Sequence, residues 1–242
     1  MALTSRTVLQ RCPFLQELDE KAVAELHQHV RTIRYGPEDL IFQEGGPSAG
    51  FYVIITGLVQ YGKHSGRRGR RRILKILGPG DCFGEEMLFQ PEVCACPGYA
   101  RAITETEVAF IERRAFVEFL KRYSSVAQRL CEHLARQLRI FECKLVELAY
   151  EPVEQNLLRL LVILMDRFGV REREGIALEM PLSRQELAEL LGVHLDTVIH
   201  ELSKLREQGL IALSDHKIVI TDPERLRELA QPETTCLSEK LF

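Results

Sequence analysis

The sequence predicts an α+β fold: a β-rich first half, one long central helix, and two short helices followed by a hairpin. Three observations predict it. Short apolar segments alternate with Gly/Pro punctuation as far as residue 112. A seam of apolar residues at heptad spacing then runs between 124 and 149. Finally, the stretch PLSRQELAELLGVHLDTVIHELSKLREQGLIALSDHKIVI (181–220) places two helical patterns and a hairpin around Gly192 and Gly209. Runs of strands followed by runs of helices point to α+β rather than to alternating α/β.

The first half begins with two helical patterns, about Arg6–Gln10 and Glu20–Val30. Strand signals follow at Leu40–Phe42, Phe51–Ile55, Leu58–Tyr61, Ile73–Leu77, Cys82–Phe83, Tyr99–Ile103 and Val108–Glu112. Short, regularly spaced strands between turn signals argue for a small roll or sandwich. Gly45-Gly46-Pro47, Gly57, Gly78-Pro79-Gly80 and Gly84 are turn or close-approach positions. The dense basic run Arg67–Arg72 falls in a turn between two strands. It reads as a solvated hairpin, or as a contact with an acidic surface or flanking DNA.

A long helix is predicted from about Ser124 to Ala149. Its seam is Ala127, Leu130, Leu134, Leu138, Phe141, Leu145 and Leu148, an a/d pattern that suits a two-stranded coil. Leu130, Leu134, Leu138, Phe141 and Leu145 are thus the expected dimer interface. The competing reading is a helix packed on its own roll. Tyr150-Glu151-Pro152 is a hinge, and Val153–Arg167 forms a further amphipathic helix.

In the last stretch, Ser183 and Glu186 form a capping box. Leu187, Leu190 and Leu191 recur at helical spacing, and Gly192 breaks the helix. A second helix runs from about Leu195 to Gln208 with Val198, Leu202 and Leu205 on its buried face. Gly209 ends it, and Leu210–Leu213 and Ile218–Ile220 form the hairpin. This order reads as a winged helix-turn-helix, and therefore as a DNA-reading module. The expected domains are residues 1–123, a central helix 124–149, the DNA-binding unit 150–230 and a tail 231–242.

Composition excludes several classes. Hydrophobic content of 45% and charged content of 28% are ordinary for globular chains. No apolar run approaches membrane-spanning length, and the start MALTSRTVLQR has no apolar signal-peptide core. Seven cysteines, an odd number, suit a reducing cytoplasm. There is no nucleotide-phosphate loop, triad spacing or zincin motif, so an enzyme is not expected. Residues 150–230 carry 10 Lys and Arg against 15 Asp and Glu, a net of −5. Phosphate neutralisation supplies most non-specific DNA affinity, so that affinity should be weak.

The order of parts resembles the CRP/FNR (catabolite activator protein) family of transcription regulators over nearly the whole chain. The resemblance rests on YGPEDLIFQEGGPSAGFYVIITGLVQYG, ILKILGPGDCFGEEMLF, the central helix and SRQELAELLGVHLDTVIHELSKLREQGLI. It implies a cyclic-nucleotide-binding-like β-roll, a dimerisation helix and a reading helix that enters the major groove. It also implies double-stranded DNA and a second copy of the chain as partners, with RNA polymerase a further candidate and no membrane.

Two departures from the family pattern bear on function. Gly84-Glu85 matches the pair that takes a ribose hydroxyl, but the position of the phosphate-clamping Arg-Ser reads Val93-Cys94-Ala95-Cys96-Pro97. Without a bidentate arginine an anionic ligand loses its main partner, so cyclic AMP is not the expected effector. Phe141 and Glu142 stand roughly where the family's base-contacting hydroxyls lie. The expected effector pocket is therefore Gly84, Glu85, Cys94, Cys96, Phe141 and Glu142, with Glu85 alternatively a structural turn acid. In the reading helix, the family's Arg-Glu-Thr-Val-Ser/Gly-Arg corresponds to Leu195-Asp196-Thr197-Val198-Ile199-His200. Both guanine-reading arginines are absent. The expected DNA contacts are Arg184, Gln185, Leu195, Asp196, Thr197, His200 and Lys204.

The cysteines pose the sensing question. Cys82, Cys131 and Cys143 read best as small buried hydrophobes. Cys94 and Cys96, with Cys12, form the candidate metal or redox site. An iron–sulfur cluster on these three, or haem held by Cys82 or a histidine, are the cofactor classes left open.

Overall fold

The computed structural model describes residues 9–47, 50–65, 70–89, 95–178, 182–214 and 217–230. Cys94, Arg67–Gly69 and the tail from Gln231 lie outside them. The chain divides into two compact units, Met1–Leu138 and Arg139–Phe242, so the boundary falls inside the central helix.

In the first unit, helix α1 (Glu20–His27) is capped by Asp19, whose carboxylate accepts from the Ala22 amide at 2.7 Å. The strands follow: β1 (Val30–Tyr35), β2 (Leu40–Phe42), β3 (Gly50–Thr56), β4 (Val59–Ser65), β5 (Arg70–Leu77), β6 (Cys82–Phe83), β7 (Tyr99–Ala102) and β8 (Thr106–Glu112). They form two antiparallel four-stranded sheets, ordered β1-β8-β3-β6 and β2-β7-β4-β5. A single 3-10 turn, Glu85–Met87, follows β6. Helices α2 (Arg113–Arg122) and α3 (Ser124–Tyr150) complete the unit, α3 running past its end.

The helical pattern read through Val30 ends at His27. Val30 instead pairs with Ile111, because the β8 ladder satisfies its backbone groups. Helix α2, in a stretch to which the sequence patterns assign no element, is amphipathic: Phe116, Phe119 and Leu120 are buried at helical spacing.

Strand β3 is buried along both faces, and its period of two divides the core. Phe51, Val53 and Ile55 face one cluster with Leu9, Cys12, Phe14, Phe116, Phe119, Val126 and Leu130. Tyr52 and Ile54 face the interior of the roll with Val59, Tyr61, Phe83 and Val108. The same alternation in β6 sends Cys82 to the helix-side cluster and Phe83 into the roll.

That division corrects part of the dimer seam. Leu130 is fully buried in the helix-side core, and Leu134 packs against the same cluster. The seam pattern is real, but its first turns face the roll of their own chain. Leu130→Ala should therefore destabilise the first unit by about 2–5 kcal/mol, as buried Leu-to-Ala changes do. Denaturant unfolding showing a loss below ~1 kcal/mol would place Leu130 outside the core.

The second unit starts from the end of α3 and helix α4 (Val153–Phe168), which buries Leu157, Leu158, Leu161, Leu164 and Met165. A hairpin of β9 (Gly169–Glu172) and β10 (Gly175–Leu178) precedes α5 (Arg184–Leu191) and α6 (Leu195–Glu207). The wing, β11 (Ile211–Ser214) and β12 (Lys217–Ile220), joins that hairpin in one sheet ordered β11-β12-β10-β9. The joining pair is β10 with β12, Ile176 opposite Ile220. Helix α7 (Pro223–Leu229) closes the unit, capped by Asp222.

Candidate functional site

The second unit presents a capped pair of helices. Ser183 Oγ accepts from the Glu186 amide at 3.1 Å, and the Glu186 carboxylate accepts from the Ser183 amide at 2.8 Å. Both halves of the capping box are thus made. Gly192, at φ 69°, stops α5 by taking a left-handed conformation, and its amide donates to the Ala188 carbonyl at 2.7 Å. Three residues later α6 begins.

Helix α6 buries Val198, Leu202 and Leu205 and leaves Leu195, Asp196, Ile199 and His200 exposed. These four follow i, i+1, i+4, i+5 spacing and share one face. The face carries an acceptor in Asp196, a donor in His200 and two aliphatic chains suited to thymine methyls. Ile199 is the member of this face that the sequence reading left out of its contact set, although the matched motif contains it. Arg184 is exposed at the start of α5, and Gln185 donates to Glu189 at 3.2 Å. The Lys204 ammonium is held by both Glu201 oxygens, at 3.0 and 3.1 Å, so a phosphate contact there must share that pair. Thr197 is half-buried beside the exposed face.

In the first unit, polar groups converge inside the helix-side core. Gly84, at φ 88°, turns the chain after β6, and a Cβ there would come within 2.8 Å of the Gly50 carbonyl oxygen. The turn allows Glu85 to open the 3-10 turn with only 3% of the residue exposed. From α3, His133, 8% exposed, brings Nε2 to 3.5 Å from Glu85 Oε1. Cys82 Sγ, a Glu85 carboxylate oxygen and a His133 ring nitrogen all lie within 4.8 Å of one another. The buried Cys12 thiol belongs to the same core cluster as Cys82, and the Phe14 ring packs 5.5 Å from the imidazole.

Electrostatics follow from this packing. Burial disfavours a charged His133, but contacts with Cys82 and then Glu85 outweigh it and raise the imidazole to about 9. The Cys82 thiol is pushed well above its usual range by the Cys12 thiol and by burial. At neutral pH the cluster therefore holds the protonated Cys82 thiol beside an imidazolium that faces Glu85. On the roll side, Tyr52 stacks on Phe83 at 4.9 Å, Phe42 packs against both, and Tyr61 donates to Glu86 at 2.8 Å.

Comparison with known proteins fits both units. Residues 32–123 match the model of a cyclic nucleotide-binding domain, and residues 155–229 match a Crp-like helix-turn-helix domain. The chain is 30% identical over 224 residues to the CRP-like cAMP-activated global transcriptional regulator of Mycobacterium tuberculosis, covering 93% of this chain and 99% of that one. The chain belongs to the CRP/FNR family of transcription regulators. It is also 26% identical over 230 residues to the transcriptional activator protein FnrL of Cereibacter sphaeroides, covering 93% and 88% of the two chains. The structure of FixK2 from Bradyrhizobium japonicum superposes with a TM-score of 0.72 at 25% identity, over 85% of this chain and 99% of that one.

As a regulator of this family the chain carries a DNA-binding helix-turn-helix and a cyclic-nucleotide-binding-like roll. No helix among the described residues is long and apolar enough to cross a membrane. Its expected sensory residues are placed differently from the sequence reading. Gly84 and Glu85 do lie together, and Glu85 faces His133. Cys12 is buried beside Cys82, whereas the Cys96 thiol donates to the Pro47 carbonyl at 3.5 Å. Cys12 and Cys96 therefore do not make one site, and Cys94 lies outside the described residues. The correction has a simple cause: Cys12 sits in the turn packed under α3, while Cys96 lies in the segment bridged to Gly45 and Gly46. An iron–sulfur cluster on Cys12, Cys94 and Cys96 is not supported by this placement, since clusters need converging thiolates. Cys131, expected to be buried, is exposed because it lies on the face of α3 turned away from the core. On α3, Phe141 is half-buried and Glu142 exposed.

His133 was missed by the sequence reading. The available signal was its position three residues after Leu130, on the same face of the helix.

Proposed function

We propose that this regulator acts as a homodimer that reads a palindromic DNA site with α6 and responds to a signal other than cyclic AMP. The observation that carries the reading is the exposed face of Leu195, Asp196, Ile199 and His200 on a helix fixed by a capped partner. Arg184 and Gln185 at the start of α5 supply phosphate contacts. Dimerisation is supported by apolar side chains left in solvent along α3: Leu138 is 61% exposed, Leu145 68% and Leu148 41%. They keep the heptad spacing that the buried Leu130 leaves behind.

The relative from Mycobacterium tuberculosis is described as cAMP-activated. In this chain residues 93–97 hold no arginine, the Glu85 carboxylate faces His133, and Tyr52, Tyr61 and Phe83 are buried in the roll interior. All three favour a different signal.

Mobility shifts on a cognate duplex and its single-base variants test the DNA contacts. Arg184→Ala should weaken every duplex alike and lower the salt dependence. His200→Ala should relax discrimination at one position by about 1–3 kcal/mol. Equal weakening of all duplexes by His200→Ala would make it a backbone contact and remove it from the base-reading set.

A further inference from the structure

Four polar side chains meet in the hydrophobic core of the first unit, and DNA reading requires none of them. They arrive from four separate segments. Cys12 comes from the turn in which its amide donates to the Leu9 carbonyl at 3.1 Å, and its carbonyl accepts from Leu15 at 2.9 Å. Cys82 comes from β6, Glu85 from the 3-10 turn and His133 from α3. Glu85 Oε2 and His133 Nε2 are both buried without a hydrogen-bond partner. A buried polar atom without a hydrogen bond costs about 1–3 kcal/mol, more when charged; His133 Nε2 reaches only an ion-pair distance of 3.5 Å to the other Glu85 oxygen, so the two side chains call for a common partner.

We propose that Cys82, Glu85 and His133, with Cys12 as fourth donor, bind one borderline-soft divalent cation of the zinc class.

The donor chemistry selects the ion. Thiolate sulfur and imidazole nitrogen suit zinc-like cations, whereas magnesium and calcium take oxygen ligands almost exclusively. Two thiols, one imidazole and one carboxylate suit a mononuclear four-coordinate centre rather than a four-thiolate cluster. Tetrahedral zinc with Zn–S near 2.3 Å and Zn–N near 2.0 Å sets its donor atoms roughly 3.5 Å apart. Cys82, Glu85 and His133 already lie within 4.8 Å of one another, so shifts on the order of 1 Å would bring these three onto one ion, and the Cys12 thiol, outside that group of three, would move further to complete the shell. On binding, the two thiols and the imidazolium release their protons to solvent. Two thiolates and a carboxylate then face a 2+ ion in place of a buried pair with unpaired atoms.

A cation at this point would tie α3, through His133, to β6 and the N-terminal turn. Helix α3 continues into the stripe of Leu138, Leu145 and Leu148. Metal occupancy is therefore the signal whose output is the DNA affinity proposed above. That output rests on the proposed function, and the site itself does not.

The test uses the full chain, reduced, stripped with a chelator and titrated with Zn2+ against a chromophoric competitor, and separately with Co2+. The expected result is one ion per chain and a cobalt spectrum with thiolate charge-transfer and intense tetrahedral bands. Cys82→Ser and His133→Gln should each weaken zinc binding by at least about 100-fold, beyond what loss of an outer-shell partner costs. Cys131→Ser, on the exposed face, should bind as the unsubstituted chain does. A wild-type protein that binds no stoichiometric zinc, or gives only the pale spectrum of octahedral cobalt, overturns the site whatever the variants do. So does a folded Cys82→Ser chain, verified by circular dichroism, that retains full affinity. Mobility shifts on the same samples are read separately. Absent DNA binding by the wild type defeats the DNA-reading proposal, and equal DNA affinity with and without zinc defeats the coupling.

Discussion

In metal-free protein, His133→Leu should cost the first unit about 3–5 kcal/mol, the penalty for removing one partner of a buried pair. The substitution leaves the Glu85 carboxylate, 3% exposed, with neither its imidazolium nor water. Replacing both partners removes the stranded charge, so Glu85→Leu/His133→Leu should be more stable than His133→Leu alone. Urea unfolding in excess chelator measures all three chains. A double variant that loses the sum of the two single losses would show that the two residues do not act as a pair.

The second large effect concerns assembly. A Leu138→Glu/Leu145→Glu chain should sediment as a monomer at concentrations where the unsubstituted chain is a dimer. Both side chains are exposed within the chain, 61% and 68%, so folding should be nearly unaffected. Placing carboxylates in a leucine seam without partners costs several kcal/mol per protomer. Glutamate at Leu130 would instead unfold the first unit, because that side chain has no surface to offer a second copy. Sedimentation of the double variant as an intact dimer would move the interface away from this stripe.

Local signals in the sequence carried most of the second unit. The Ser183–Glu186 capping box, the glycine stop at Gly192 and the spacing of Val198, Leu202 and Leu205 act over a few residues, and the structure realises each. Strands β2 and β6 also fall where apolar runs between turns place them. Strand β1 was not legible, because Val30–Tyr35 interleaves Arg31 and Arg34 with its apolar residues and its identity depends on pairing with the distant β8. The heptad on α3 was legible as a pattern but not as a partner assignment. The same apolar stripe serves the roll at Leu130 and solvent at Leu145, and only tertiary packing separates them.

The polar cluster was the least legible feature. Cys12, Cys82, Glu85 and His133 are scattered over more than half the chain and have no short-range ligand spacing. Cys94 and Cys96 attracted the sensing assignment because they are two residues apart. The alternation of β6, which turns Cys82 toward α3 and Phe83 into the roll, is what selects the other set.

Selection of bound duplexes from a random DNA pool by the purified chain tests the central claim most directly. The proposed function predicts enrichment of one two-fold symmetric site, with half-site centres about one helical turn apart. One position in each half-site should relax when His200 is replaced. A pool that stays random at every salt concentration, while the protein remains folded and dimeric, would contradict it. The acidic second unit, net −5 over residues 150–230, would then belong to a regulator that acts without reading sequence.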